Sequence, residues 1–162
     1  MNNVVFGFSR ARDWWRIGST IIMLTEKRAY SHCYVRFGSK IFQASHGKVN
    51  LIDYDQFIQA NIIAEEWEFD CESELYLKVL RHCNQSLGIP YGYMQLLCIA
   101  IKKLFHFVLP VNNKESQEIC SEFAARCAQM LGVKGPTNLD YCTPSDFQRL
   151  IEQSGLAKRL LV

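Results

Sequence analysis

SHCYVRFGSKIFQAS, residues 31–45, is the stretch on which the fold turns. Its first half alternates. Cys33, Val35 and Phe37 fall on one side, and His32, Tyr34 and Arg36 on the other. A period of two is the signature of a strand with two different faces. Gly38-Ser39 is a turn signal, and Lys40–Ser45 reads as the returning strand of a hairpin. His46-Gly47 turns the chain again, and residues 49–52 make a third strand. Outward from this hairpin, residues 3–9 read as a short strand, residues 17–24 as a helix, and the acid-rich segment 63–70 as a further strand.

The pattern then changes period. Leu75, Val79, Leu80 and Cys83 recur at helical spacing within 72–87, and Gly88 ends the run. GIPYGY follows as a stiff turn, and an apolar helix is predicted over 93–107. Cys120, Phe123, Ala124, Cys127 and Leu131 form the strongest helical stripe in the chain, with Gly132 as its C-cap. Thr143-Pro144-Ser145-Asp146 opens a last helix. Strands first and helices afterwards make an α+β protein, and 162 residues suit a single domain spanning 1–162.

Composition narrows the function. The 18 basic and 16 acidic residues give a formal charge of +2, which argues against a nucleic-acid partner. Arg10, Arg12, Arg16, Lys27 and Arg28 make the N-terminal segment basic, and six of the ten residues at 65–74 are acidic. These read as solvated faces, or else the basic run is a rim that steers an acidic substrate. Tyr93–Val111 is apolar but broken by Lys102 and Lys103, which leaves no transmembrane segment and suggests a buried or membrane-surface helix. The N-terminus lacks the features of a secretory signal, so the expected location as synthesised is the cytoplasm. The seven cysteines are an odd number, contain no CxxC pair, and read as reduced thiols with neither zinc nor any other cofactor.

Cysteine chemistry requires a thiolate, an imidazole beside it, and a third group that orients the imidazole. Cys120 stands at the start of its helix, where the helix dipole favours an anion. It also lies on the apolar stripe and could be a small core residue only. His32 lies on the strand face opposite the apolar triplet, and its plain alternative is a surface histidine. Gln43, one strand over, can come beside His32 and accept its N–H, or be a half-exposed strand residue. His46, in the adjoining turn, is a reserve for the same role. His82 and His106 have no evident partner.

Together these pieces resemble the circularly permuted branch of the NlpC-type papain-like cysteine hydrolases, in which the histidine strand precedes the cysteine helix. The resemblance rests on GFS at 7–9, SHCYVRF at 31–37, IFQASHGKV at 41–49, LGIPYGY at 87–93, ICSEFAARCAQMLG at 119–132 and TPSDF at 143–147. It implies a permuted papain-like fold, with a small antiparallel sheet packed on helices. Cys120 is then the nucleophile, His32 the base, Gln43 the third polar residue, and Tyr91 a residue that lines the site and helps hold the oxyanion. Ser121 and Glu122 match the signature after the nucleophile without a catalytic step.

The implied reaction is hydrolysis of an amide through a thioester, on a peptide or acyl-amide substrate. Peptide crosslinks of a bacterial wall (peptidoglycan) lead, reached by phage delivery or by release on lysis. A lipid amidase, thioesterase or acyltransferase is the second reading, and a catalytically silent binding module the third. The inserted apolar helix between Tyr91 and Cys120 would shape the pocket in any of them.

Overall fold

Six consecutive residues of the first strand, Val4 to Ser9, are buried, so this strand is covered on both faces and must lie inside a sheet. In the computed structural model, which describes residues 2–12, 30–45, 47–105, 107 and 117–161, it does. Strand β1 (Asn2–Ala11) pairs antiparallel with β2 (His32–Phe37) on one side and β5 (Asn61–Cys71) on the other. Strands β3 (Lys40–Ser45) and β4 (Lys48–Asp53) extend the sheet beyond β2, and β6 (Lys158–Leu160) closes it beyond β5. The order is β4-β3-β2-β1-β5-β6, antiparallel throughout. With five helices among the described residues, the protein is α+β.

The alternation in 31–37 sorts side chains as the sequence predicts. Cys33, Val35 and Phe37 join Val4, Phe6 and Phe8 in the main core. Helix α2 (Ser73–Gln85) adds Val79 and Cys83, helix α4 (Cys120–Met130) adds Phe123 and Cys127, and helix α5 (Pro144–Ser154) adds Phe147 and Ile151. Phe6 meets Phe69 and Phe147 edge-on, with ring centroids 5.2 and 5.6 Å apart. Each buried aromatic here contributes roughly 2–3 kcal/mol by leaving water. Helix α5 starts as its sequence predicts: Thr143 and Asp146 form a reciprocal capping box with Pro144 just inside.

Three elements depart from the sequence reading. Helix α1 (Tyr54–Ala60) was not expected; its seven residues lie between two strands and present one buried apolar side chain, Phe57, too little for a visible period. Strand β5 begins at Asn61 rather than 63, and β6 is a three-residue strand too short to show alternation. The apolar helix α3 covers Tyr93–Phe105. No helix among the described residues is long and apolar enough to cross a membrane. The expected helix at 17–24 lies outside the described residues, as do Arg16, Lys27 and Arg28 of the basic run.

The second face of the sheet carries a smaller cluster, Tyr34, Ile41 and Phe57. Gly7 stands between Tyr34 and Glu66 in register, and a side chain there would collide with the Tyr34 ring. Its bare backbone lets Tyr34 lie across β1 and donate to Glu66 Oε1 at 2.7 Å. Arg36 grips the same carboxylate through Nε at 3.0 Å and Nη2 at 2.8 Å. The acidic run is therefore not simply a solvated face, because Glu65 and Glu66 are buried.

Candidate active site

The β2–β3 ladder runs from Phe37–Lys40 to Val35–Phe42 and stops. Beyond that point β2 stays paired to β1, and β3 to β4. The strands part, and the first residue of α4 comes to the gap. Cys120 interacts there with both Cys33 and His32, neighbours whose side chains leave β2 on opposite faces. An unladdered strand edge permits this; a strand paired on both sides would shield one face from the other.

His32 Nε2 lies 2.7 Å from Gln43 Oε1. An amide oxygen only accepts, so Nε2 carries the hydrogen and Nδ1 is the nitrogen left for Cys120. Gln43 is buried, and its Nε2 donates to Asn50 Oδ1 at 3.3 Å. Asn50, its direct register partner on β4, was not picked out from the sequence. The signal was present: a turn centred on 46–47 sets Gln43 opposite Asn50. His46, the reserve orienter, lies outside the described residues, as does His106. His82 stands elsewhere, stacked on Phe123 at 6.3 Å, and burial, with Arg126 nearby, lowers its pKa.

Tyr91 arrives by backbone. Its N–H donates to Gly47 O at 2.8 Å, the Gly92 N–H to Glu118 O at 3.1 Å, and the Glu118 N–H to Pro90 O at 3.0 Å. This parallel bridge ties GIPY to the residues just before Cys120. Burial first, and then the Cys120 charge, push the Tyr91 phenol well above its ordinary pKa. It therefore keeps its proton and hydrogen-bonds Cys120 as a donor.

The electrostatics favour an ion pair. A hydrogen bond from Cys33 does most to hold the Cys120 thiol well below the ordinary range; burial opposes it, and the charge and hydrogen bond of His32 add to it. Burial first, then the Cys120 contact, push Cys33 up, so Cys33 stays a thiol donor. Burial pulls His32 down, but the Cys120 charge and hydrogen bonds to Cys120 and Gln43 outweigh it, and the net direction is up. Ile119 supplies no side-chain cap to α4, which leaves the first amides of the helix free of a capping oxygen beside Cys120.

Behind Cys120 the helix is anchored by polar groups. Ser121 Oγ donates to Cys142 O at 2.6 Å. Glu122 is buried and accepts from Gln95 Nε2 at 2.9 Å and Arg126 Nη2 at 2.5 Å. Glu118 shares Arg126 more loosely, at 3.8 Å, and burial pushes its carboxyl up to about 7. Two surface clefts, one around Asn2 and Asp70 and one around Tyr141 and Arg149, include neither Cys120 nor His32.

No family model matches the chain, and no curated protein does. Among solved structures it is similar to the crystal structure of metalloprotein YiiX from Escherichia coli O157:H7, described as DUF1105. The TM-score is 0.54 at 19% identity, covering 99% of this chain and 87% of that one. The two share a fold. That neighbour is not described as NlpC-type and no family model supports that assignment, so the resemblance drawn from short motifs is corrected: six degenerate segments in order reflect the arrangement of a fold more than membership of that family.

Proposed function

We propose that the chain is a cysteine hydrolase of amide bonds, with Cys120 as nucleophile, His32 as acid and base, Gln43 as orienter and Tyr91 as oxyanion donor. The observation that carries this reading is the meeting of His32 with Cys120 and Gln43 at the parting of β2 and β3. A histidine strand preceding a cysteine helix is also what a permuted papain-like architecture requires.

In the proposed reaction the Cys120 thiolate attacks the carbonyl carbon, and the carbonyl π pair moves to oxygen. The Cys120 N–H and the Tyr91 O–H stabilise that oxyanion. The C–N bond breaks as the imidazolium of His32 protonates the leaving amine. Water then attacks the thioester, His32 takes its proton, and the acid leaves as Cys120 is regenerated. Because YiiX is described as a metalloprotein, the donor set of this chain bears on the reading. Among the described residues no group of three His, Cys, Asp or Glu side chains is placed to hold a metal ion, and no step is routed through one.

Peptide amides are the first substrate class to screen, wall crosslinks included. Acyl lipids are the second, favoured by one observation: Tyr93 and Leu97 are exposed on α3, and the Tyr93 ring stands 4.9 Å from that of Tyr91. The test is iodoacetamide labelling from pH 5 to 9, with labelled sites mapped by mass spectrometry. Cys120 should react first, with an apparent pKa well under the roughly 8.5 of a free thiol, and should slow in His32→Ala. A Cys120 that reacts like an ordinary thiol irrespective of His32 sinks the proposal.

A further inference from the structure

We propose that Asn50 is a positioning residue that dictates, through Gln43, which ring nitrogen of His32 faces Cys120; this rests on the catalytic reading above for its purpose but not for its geometry. Two groups at the β3–β4 turn have a fixed hydrogen-bonding sense. The backbone carbonyls of Ser45 and Lys48 can only accept. Asn50 Nδ2 donates to them at 2.9 and 3.4 Å, which fixes the Asn50 amide with Oδ1 turned away from them. Oδ1 then accepts from Gln43 Nε2 at 3.3 Å, and Gln43 Oε1 is left for His32 Nε2 at 2.7 Å. Each amide has one donor end and one acceptor end, so the direction set at the β3–β4 turn is passed intact to the imidazole.

Reversing the Gln43 amide would present NH₂ to Nε2. The neutral ring would then carry its hydrogen on Nδ1, against Cys120, and could not take the thiol proton. The imidazolium would face a donor with a donor. Gln43 alone has no means of choosing between these states, and Asn50 supplies it. The other titratable groups set against the Cys120–His32 pair, Cys33 and Tyr91, are both held protonated. They donate to sulfur and leave the choice of ring nitrogen to the amides.

The experiment uses the full chain with two readouts. One is the pH profile of Cys120 alkylation by iodoacetamide, with the half-buried Cys71 as internal reference. The other is the ¹⁵N spectrum of the histidine rings, with His32 assigned from His32→Gln. In the unsubstituted protein Nε2 should stay protonated throughout, and Nδ1 should be the nitrogen that titrates. Asn50→Ala should slow Cys120 alkylation at pH 6.5 about five- to tenfold and bring in the Nδ1–H form. Asn50→Asp keeps an acceptor for Gln43 but sets a carboxylate oxygen against the Ser45 and Lys48 carbonyls; it should restore the Nε2–H form, with alkylation recovered only in part.

A neutral Nδ1–H form in the unsubstituted protein overturns the inference without any variant having to fold. So does an Asn50→Ala protein with both readouts unchanged. An ordinary Cys120 pKa alongside a persistently protonated Nε2 removes the catalytic reading and leaves the relay standing.

Discussion

One face of β2 carries two polar networks of opposite design. At one end His32, Gln43 and Asn50 form a chain whose orienting members are neutral amides. Further along, Tyr34 and Arg36 close on Glu66, a buried carboxylate gripped by three hydrogen bonds. The second is a clamp. It joins β2 to β5 over the bare backbone of Gly7, and its worth is stability: removing one member strands the others. The first is a pointer. Its bonds are individually modest, and its worth is direction. A charged orienter would also bind His32, but it would add a second ion pair to the one that forms and discharges at each turnover of the proposed reaction.

Glu66→Ala should cost about 3–5 kcal/mol in urea unfolding, because Arg36 and Tyr34 lose their shared acceptor. It should leave the alkylation pKa of Cys120 unmoved, and a shift would show that the two networks are not separate. Gly7→Ala should cost about 2–3 kcal/mol by the same measurement, since the Tyr34 ring must leave its place over β1.

Glu118 sharpens the contrast, being a buried carboxylate with neither a tight clamp nor a relay. Its pKa of about 7 lies above the roughly 4.3 of an unfolded glutamate, so the native state binds more protons between those values. Stability should therefore fall as pH rises from about 4.3 to about 7 and level off above. Glu118→Gln should be more stable than the parent by about 1–2 kcal/mol at pH 8, a difference that disappears near pH 4 in paired thermal melts.

The smallest effect tests the pointer. Gln43→Glu places a carboxylate on His32 and should raise its pKa further. In the proposed hydrolysis, the alkaline limb, where the imidazolium is lost, should move up by about one pH unit.

Legibility in the sequence followed the reach of the physical signal. The hairpin at 31–45 and helices α2, α4 and α5 were readable because period, cap and turn residues agree within a dozen residues. The sheet order was not, since β1 and β5 meet across fifty residues and nothing local records the pairing. Cys120, His32 and Gln43 could be nominated by residue type and phase. Their meeting depends on where a ladder stops, which is a property of β2 and β3 together. Asn50 and Cys33 were passed over for the same reason. Asparagine three residues after a turn looks like turn chemistry, and Cys33 looks like core, which it also is.

The cysteines that fill this core have a practical consequence. Cys33, Cys83 and Cys127 are free thiols with no exposed surface, distributed over β2, α2 and α4. Each can be modified only when its own neighbourhood opens. The molecule thus holds a built-in set of clocks, and timed thiol labelling followed by mass spectrometry would rank the opening of its elements one by one, much as amide exchange does.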